Sequence, residues 1–244
     1  MKRLQQKIAI ITGAARGQGA AEATLFSAEG AQVVITDVND SQGREVAQQI
    51  GSNALFIHHD VTDEASWKTV VATTLKTYGT IDILVNNAGV YKPKTFQDTD
   101  AELQDFHYRI NVLGTFLGMQ AVYPVMLKAG GGAIVNVSSG AGMRGYPSLF
   151  AYASSKWMVR GLSKCAAVDL AASHIRVNTI LPGLIDTPML GENSEEYIDA
   201  LKALVPAGRL GTVGEIAEAA VYLASDAASY VSGAELAVCG ALMA

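Results

Sequence analysis

The chain has 244 residues, half of them hydrophobic and 17% charged, so it can bury a sizeable core and global disorder is excluded. Its net charge is −5, with 18 basic residues spread along the chain against 23 acidic ones. That balance argues against nucleic acid or an anionic membrane as partner.

Met1, Lys2 and Arg3 are followed by an apolar run of only Ile8 to Ile11, too short for the core of a signal peptide. No stretch approaches the ~20 apolar residues of a membrane span, and a reducing cytoplasm is the expected setting. Two cysteines, Cys165 and Cys239, lack the number for a disulfide framework and the clustering for a metal site. In apolar surroundings they read as small buried hydrophobes, and no metal is expected.

Ile8 to Thr12 is a short β-branched strand, followed by a glycine-rich turn and a helix, Ala20 to Ala28. Val33 to Thr36 is a second strand and Ser41 to Ile50 a second helix. Leu55 to His58 is a third strand, and Glu64 to Tyr78 a helix with Trp67, Val70, Val71 and Leu75 on its apolar side. Ile83 to Val85 makes a fourth strand, Leu103 to Leu127 a long helix, and Ala133 to Val137 a fifth strand. Ala151 to Ala172 is helical, Arg176 to Ile180 a sixth strand, Ile216 to Ala224 a helix, and Leu236 to Cys239 a seventh strand.

The strands are continuous apolar runs, which suits a sheet covered on both faces. Their strict alternation with helices predicts a doubly wound (Rossmann) α/β fold with a parallel sheet of about seven strands. No linker or repeat divides residues 1–244, which read as one domain. The weakest stretch for regular structure is Leu184 to Gly214, with Pro188, Pro206 and a short amphipathic piece, Glu195 to Leu204. A long segment after a strand's carboxyl end is expected to contact ligand.

Thr12-Gly13-Ala14-Ala15-Arg16-Gly17-Gln18-Gly19 lies between the first strand and first helix. There, glycines allow a tight turn, and the helix N-terminus offers oriented N–H groups to a pyrophosphate. Asp37 ends the second strand about 20 residues on, where a carboxylate bonds both ribose hydroxyls of NAD and repels a 2′-phosphate. Arg16 is the contrary signal, a cation that favours NADP. Asp37 outweighs it because its charge would lie beside the discriminating hydroxyl, so NAD is the expected cofactor. Asp60-Val61 closes the third strand and Asn86-Asn87-Ala88-Gly89 the fourth, so both ends face the same crevice.

Tyr152 and Lys156 lie four apart on one predicted helix face, and Ser139 sits at the end of the preceding strand. Removing hydride from a carbinol carbon requires loss of the hydroxyl proton, hence a base. A tyrosine serves once a nearby cation stabilises its phenolate, and Lys156 and a positive nicotinamide could both do so. The Ser139 hydroxyl could hold the substrate oxygen as charge changes on it.

Together TGAARGQG, NNAG, Ser139, YASSK and Pro182-Gly183 resemble the short-chain dehydrogenase/reductase family in its single-domain form. The resemblance implies that Tyr152 is the acid/base and that Lys156 lowers its pKa and holds the nicotinamide ribose. It implies that Ser139 donates to the substrate oxygen and that Asn111 anchors a water relaying protons to Lys156. It also implies cofactor contacts at Pro182, Gly183 and the backbone of Ile185 and Thr187, and a homotetramer. Scaffold segments such as SSKWMVRGLSK are similar to bacterial 3-alpha/20-beta hydroxysteroid dehydrogenases. The chain departs at Val238-Cys239-Gly240-Ala241, where the family often reads Val-Asp-Gly-Gly.

Met143, Tyr146, Leu149, Leu184, Met189 and Leu190 flank the site and are mostly apolar, so the expected substrate is an uncharged alcohol or ketone. Two other readings were open on this fold. A nucleotide-sensing protein without catalysis would tolerate loss of the tyrosine or lysine, and both are present. Epimerases of the fold usually carry an extra C-terminal domain, and enoyl reductases usually space their tyrosine and lysine more widely.

Overall fold

A computed structural model describes residues 2–191 and 195–244. Seven parallel strands form one sheet in the order β3-β2-β1-β4-β5-β6-β7. They are β1 (Ile8–Thr12), β2 (Gln32–Asp37), β3 (Ala54–His58), β4 (Ile83–Asn86), β5 (Gly132–Val137), β6 (Ile175–Pro182) and β7 (Glu235–Val238). The helices are α1 (Gly17–Ala28), α2 (Asp40–Ile50), α3 (Glu64–Tyr78), α4 (Ala101–His107), α5 (Gly114–Ala129), α6 (Phe150–Leu170), α7 (Pro188–Gly191), α8 (Glu195–Leu204) and α9 (Val213–Ala224).

Alternation along each strand sends successive side chains to opposite faces, and both faces are apolar. Ile11, Val33, Ile35, Val85 and Val135 join Phe26 of α1 and Ile216 and Val221 of α9 in one buried cluster. Ile10, Val34, Leu84 and Ile134 join Trp67 and Val70 of α3 and Met126 of α5 in a second. Removing one such side chain costs about 2–5 kcal/mol. The doubly wound fold expected from the alternation is therefore the observed one.

The chain lays β1, β2 and β3 outward in one direction, then returns to place β4 beside β1. The carboxyl ends of β1 and β4 consequently diverge, and the turns that leave them open a crevice.

Several boundaries differ from expectation. The long helix Leu103–Leu127 is instead α4 and α5 joined by a π-helical turn, Tyr108–Leu113, which re-aims Asn111 within it. The combined helix Ala101–Ala129 is long and apolar enough to span a membrane, contrary to the expectation that no stretch approaches one. Half of that span's key window is buried, with Met126 and Val122 under the sheet, as a core helix requires. Cys165 is exposed and Cys239 partly so, against the expectation of burial. Cys165 lies on the outward side of α6, where helical phase outweighs the apolar local sequence. The Leu184–Gly214 stretch is more helical than expected, containing α7 and α8, the latter coinciding with the amphipathic piece.

Candidate active site

The glycine-rich turn is built by exclusion of side chains. A Cβ on Gly13 would lie 2.7 Å from Ala88 Cα, and Gly13 adopts a φ of +63° that favours glycine. A Cβ on Gly19 would meet the Asn87 amide and the Gly13 carbonyl at 2.5 Å. These two glycines bring the β1 and β4 turns together. Gly17, with φ +58°, is different: its nearest non-local neighbour is Pro188 Cδ at 3.7 Å, so it presents open backbone beside the start of α7.

Helices α2, α3, α4 and α9 each receive a side-chain N-cap, from Asn39, Asp63, Asp100 and Thr212. Helices α5 and α6 have none, nor has α1, whose N-cap is Arg16 without a side-chain bond. An uncapped helix whose first residue is an open glycine fits a phosphate.

The other crevice residues lock this cradle. Asn87 donates its amide to the carbonyls of Thr12 (2.9 Å) and Gly13 (3.0 Å), and Thr12 Oγ1 accepts from the N–H groups of Asn87 and Ala88. Asp37 accepts from the N–H of Ala15 (3.1 Å) and of Asn39 (2.9 Å), which holds its carboxylate at the crevice edge. Asp60 is exposed, two residues past the end of β3, and accepts from Thr62 N–H. Val61 is buried beneath, its carbonyl taken by the Trp67 indole. The residues present therefore fit a dinucleotide: the open Gly17 backbone at the start of α1 suits its phosphates and the Asp37 carboxylate at the crevice edge suits a ribose.

Tyr152 and Lys156 share one face of α6, and the Lys156 ammonium lies 5.8 Å from the Tyr152 ring centroid. It donates to the Val137 carbonyl (3.0 Å), and burial lowers its pKa to about 8. Burial pushes the Tyr152 phenol above its ordinary value, and a hydrogen bond with the Ser139 hydroxyl pulls it back. In the protein alone the phenol is thus raised, where a lowering by Lys156 is expected, because desolvation outweighs the Ser139 hydrogen bond. Ser139 caps a 3₁₀ turn, Gly140–Gly142, with Oγ accepting from Ala141 N–H (3.1 Å).

Gly89 stands where these groups meet. A Cβ there would come within 3.3 Å of both Asn111 Oδ1 and Lys156 Nζ. Asn111, fully buried, accepts from Val90 N–H (2.8 Å) and donates to Val90 carbonyl and to Ser155 Oγ. Ser155 in turn donates to the Tyr152 carbonyl (2.6 Å). The Asn111 side chain fastens the segment after β4 to α6 beside the tyrosine.

The expected cofactor contacts after β6 lie at the same edge of the sheet. Gly183 N–H bonds the Val238 carbonyl, and a Cβ there would strike Cys239. Ile185 is buried and bridges Gly211; Thr187 Oγ1 donates to the Ile185 carbonyl. Met143, Tyr146 and Leu149 occupy the segment from Ser139 to α6, where Arg144 donates to the Tyr146 hydroxyl and Leu149 bridges Lys94. Leu184 and Leu190, both partly buried, follow β6. The side chain of Met189 lies outside the described residues.

Sequence reasoning missed two neighbours of the phenol. The Tyr91 ring stands edge-on to Tyr152 at 5.0 Å, and the His107 ring at 6.3 Å. His107 is fully buried; Nδ1 lies 2.9 Å from the Leu103 carbonyl and Nε2 accepts from Lys92 N–H, an arrangement for a neutral ring. Burial lowers its pKa accordingly. Its spacing, one helical turn before Asn111, was the available signal.

A family model described as Enoyl-(Acyl carrier protein) reductase matches residues 13–242. A trans-4-hydroxycyclohexanecarboxylate dehydrogenase of Sinomonas cyclohexanicum is 41% identical over 98% of this chain and 93% of its own length. A cyclopentanol dehydrogenase of Comamonas testosteroni is 42% identical over 98% of each chain. A 3-alpha-(or 20-beta)-hydroxysteroid dehydrogenase of Mycobacterium tuberculosis is 40% identical over 99% of this chain and 91% of its own.

Proposed function

The chain belongs to the short-chain dehydrogenase/reductase family, and we propose that it is an NAD-dependent dehydrogenase of cyclic secondary alcohols with Tyr152 as acid/base. The observation that carries this reading is the convergence of Ser139, Tyr152 and Lys156 beside the bare backbone of Gly89.

Bound along the crevice, the dinucleotide supplies the hydride acceptor or donor. Gly17 and Gln18 would hold its phosphates, and Asp37 would take the ribose hydroxyls. Tyr152 receives the carbinol proton during oxidation and returns one during reduction. The Ser139 hydroxyl donates to the substrate oxygen and steadies the charge that develops there. Lys156 opposes the burial that disfavours the phenolate, and the positive charge of an oxidised cofactor would add to it. Asn111, through Val90 and Ser155, keeps the crevice floor and α6 in register.

The cyclic substrate class is supported by relatives named for cyclohexane, cyclopentane and steroid alcohols, together with the apolar segments around Met143 and Leu184. Although the family model carries an enoyl reductase description, the four-residue Tyr152–Lys156 spacing and these relatives favour carbinol oxidation. A homotetramer in the cytoplasm completes the reading. Phe116 on α5 and Trp157, Met158 and Val168 on α6 are exposed apolar side chains, a surface that self-association would cover.

The deciding experiment is a turnover screen with NAD+ against cyclopentanol, cyclohexanol, 4-hydroxycyclohexanecarboxylate and hydroxysteroids. Oxidation of at least one is expected. Heat stabilisation by NADH with no turnover anywhere would favour a binding module instead. Light scattering at micromolar concentration checks the tetramer, which a monomer mass would reject.

A further inference from the structure

Helix α6 carries a third functional-face residue, one turn beyond Lys156. Arg160 reaches with Nε and Nη2 to the two carboxylate oxygens of Glu235 on β7, each at 2.9 Å. Its remaining Nη1 donates to the carbonyl of Gly142, and its guanidinium stacks 4.9 Å from the Trp157 ring. The pair is largely withdrawn from water, with side-chain exposures of 19% and 17%. A planar fork satisfied on three sides fixes geometry in a way a point charge does not.

Gly142 ends the 3₁₀ turn that Ser139 caps, and the Gly142 N–H closes back on the Ser139 carbonyl (2.9 Å). The turn is pressed against α6: a Cβ on Gly142 would come within 2.9 Å of the Lys156 carbonyl, to which Ser138 Oγ also donates. On its far side, a Cβ on Gly140 would meet Met243 Sδ at 2.5 Å. The turn has no sheet partner of its own, so these contacts decide where the Ser139 hydroxyl stands.

The geometry points to Arg160 as a positioning residue for Ser139, braced on Glu235, so that the last strand sets the aim of the substrate-oxygen donor. This rests on the reading of Ser139 given above. Displacement of a catalytic group by about 1 Å through a remote contact costs ~10²-fold in rate.

The test is a double-mutant cycle, with cyclopentanol and NAD+ as probes. Arg160→Met is expected to lower kcat by ~10- to 100-fold while KM for NAD+ stays within about twofold. In a Ser139→Ala background the further loss from Arg160→Met should shrink to under ~3-fold. Arg160→Lys should not rescue, since one ammonium cannot span Gly142 and both Glu235 oxygens. Amide hydrogen exchange at Ala141 and Gly142, measured on the protein without substrate, should accelerate by ~10-fold or more in Arg160→Met. Where that variant does not fold, Glu235→Gln enters the same cycle and the same exchange measurement.

Equal losses in both backgrounds, or unchanged exchange at Ala141, would overturn the proposal alone. A Ser139→Ala protein with wild-type kcat would overturn the reading beneath it and the proposal together.

Discussion

The two halves of the crevice are built by different means. Beneath β1, β2 and β4, backbone groups and short side chains lock one another: Thr12, Asn87 and Asp37 accept or donate seven hydrogen bonds within the turns themselves. Beyond β5 and β6, longer segments leave the strand ends; past the tied Gly140–Gly142 turn and Gly183, backbone bridges such as Lys94 to Leu149 and Ile185 to Gly211 join them to the rest. Met143 there is 36% exposed and Phe150 45%. A rigid cradle suits a ligand whose shape does not vary, whereas a loosely tied rim lets substrate preference change without disturbing it.

The largest way to sharpen this contrast is to strike where the halves meet. Tyr152→Phe keeps the ring's packing and deletes the hydroxyl, so turnover should fall by at least ~10²-fold while NADH affinity, set by the cradle, changes little. Lys156→Ala should lower both. Steady-state kinetics and NADH fluorescence titration measure the two effects, and wild-type turnover in Tyr152→Phe would move the acid/base elsewhere. In the oxidation direction activity should rise with pH as the phenol ionises.

The cradle half also contains a stored cost. Glu22 on α1 is fully buried with neither carboxylate oxygen partnered, and burial raises its pKa to about 8. A raised carboxyl pKa means the folded protein holds a proton that the unfolded chain has lost. Stability should therefore fall as pH rises from about 4.5 to about 8, by a few kcal/mol. Denaturant titrations at pH 5 and pH 8 test this. Glu22→Gln should flatten the difference; an unchanged slope would mean another group drives it. Lys156, lowered to about 8, works in the opposite sense above that pH.

A smaller effect separates cofactors. Asp37→Ser removes the carboxylate from the crevice edge, so the ratio of kcat/KM for NAD+ over NADP+ should drop by ~10-fold or more. Efficiency with NADP+ already equal to that with NAD+ in the unaltered protein would point to Arg16 as dominant. Smallest are changes at the rim. Met143→Ala or Leu184→Ala should shift KM among cyclic alcohols by several-fold, about 1 kcal/mol, and leave KM for NAD+ alone. A parallel rise in KM for NAD+ would show that the halves are not independent.

The cradle was readable because its requirements are local. Gly17 needs a positive φ, Asp37 must end a strand, and Tyr152 and Lys156 share a face by helical spacing alone. Tyr91 was not readable, and His107 offered only its spacing from Asn111, since neither periodicity nor motif says that two distant segments will close around one phenol. The π turn at Tyr108–Leu113 was hidden for a related reason: its residues have ordinary helical composition, and the bonds of Asn111 within it run to Val90 and Ser155 on other segments.

By itself, the sequence determined the alternating parallel sheet, the glycine turn and the chemical types at the site, because period, backbone freedom and side-chain chemistry are properties of short segments. Only the tertiary structure decided that Gly13 and Gly19 serve close packing while Gly17 stays open, that burial raises the Tyr152 phenol and that Arg160 ties Gly142 to Glu235. Those outcomes depend on which groups meet across the fold, Arg160 and Glu235 from positions 75 apart in the chain, and on the water that their meeting excludes.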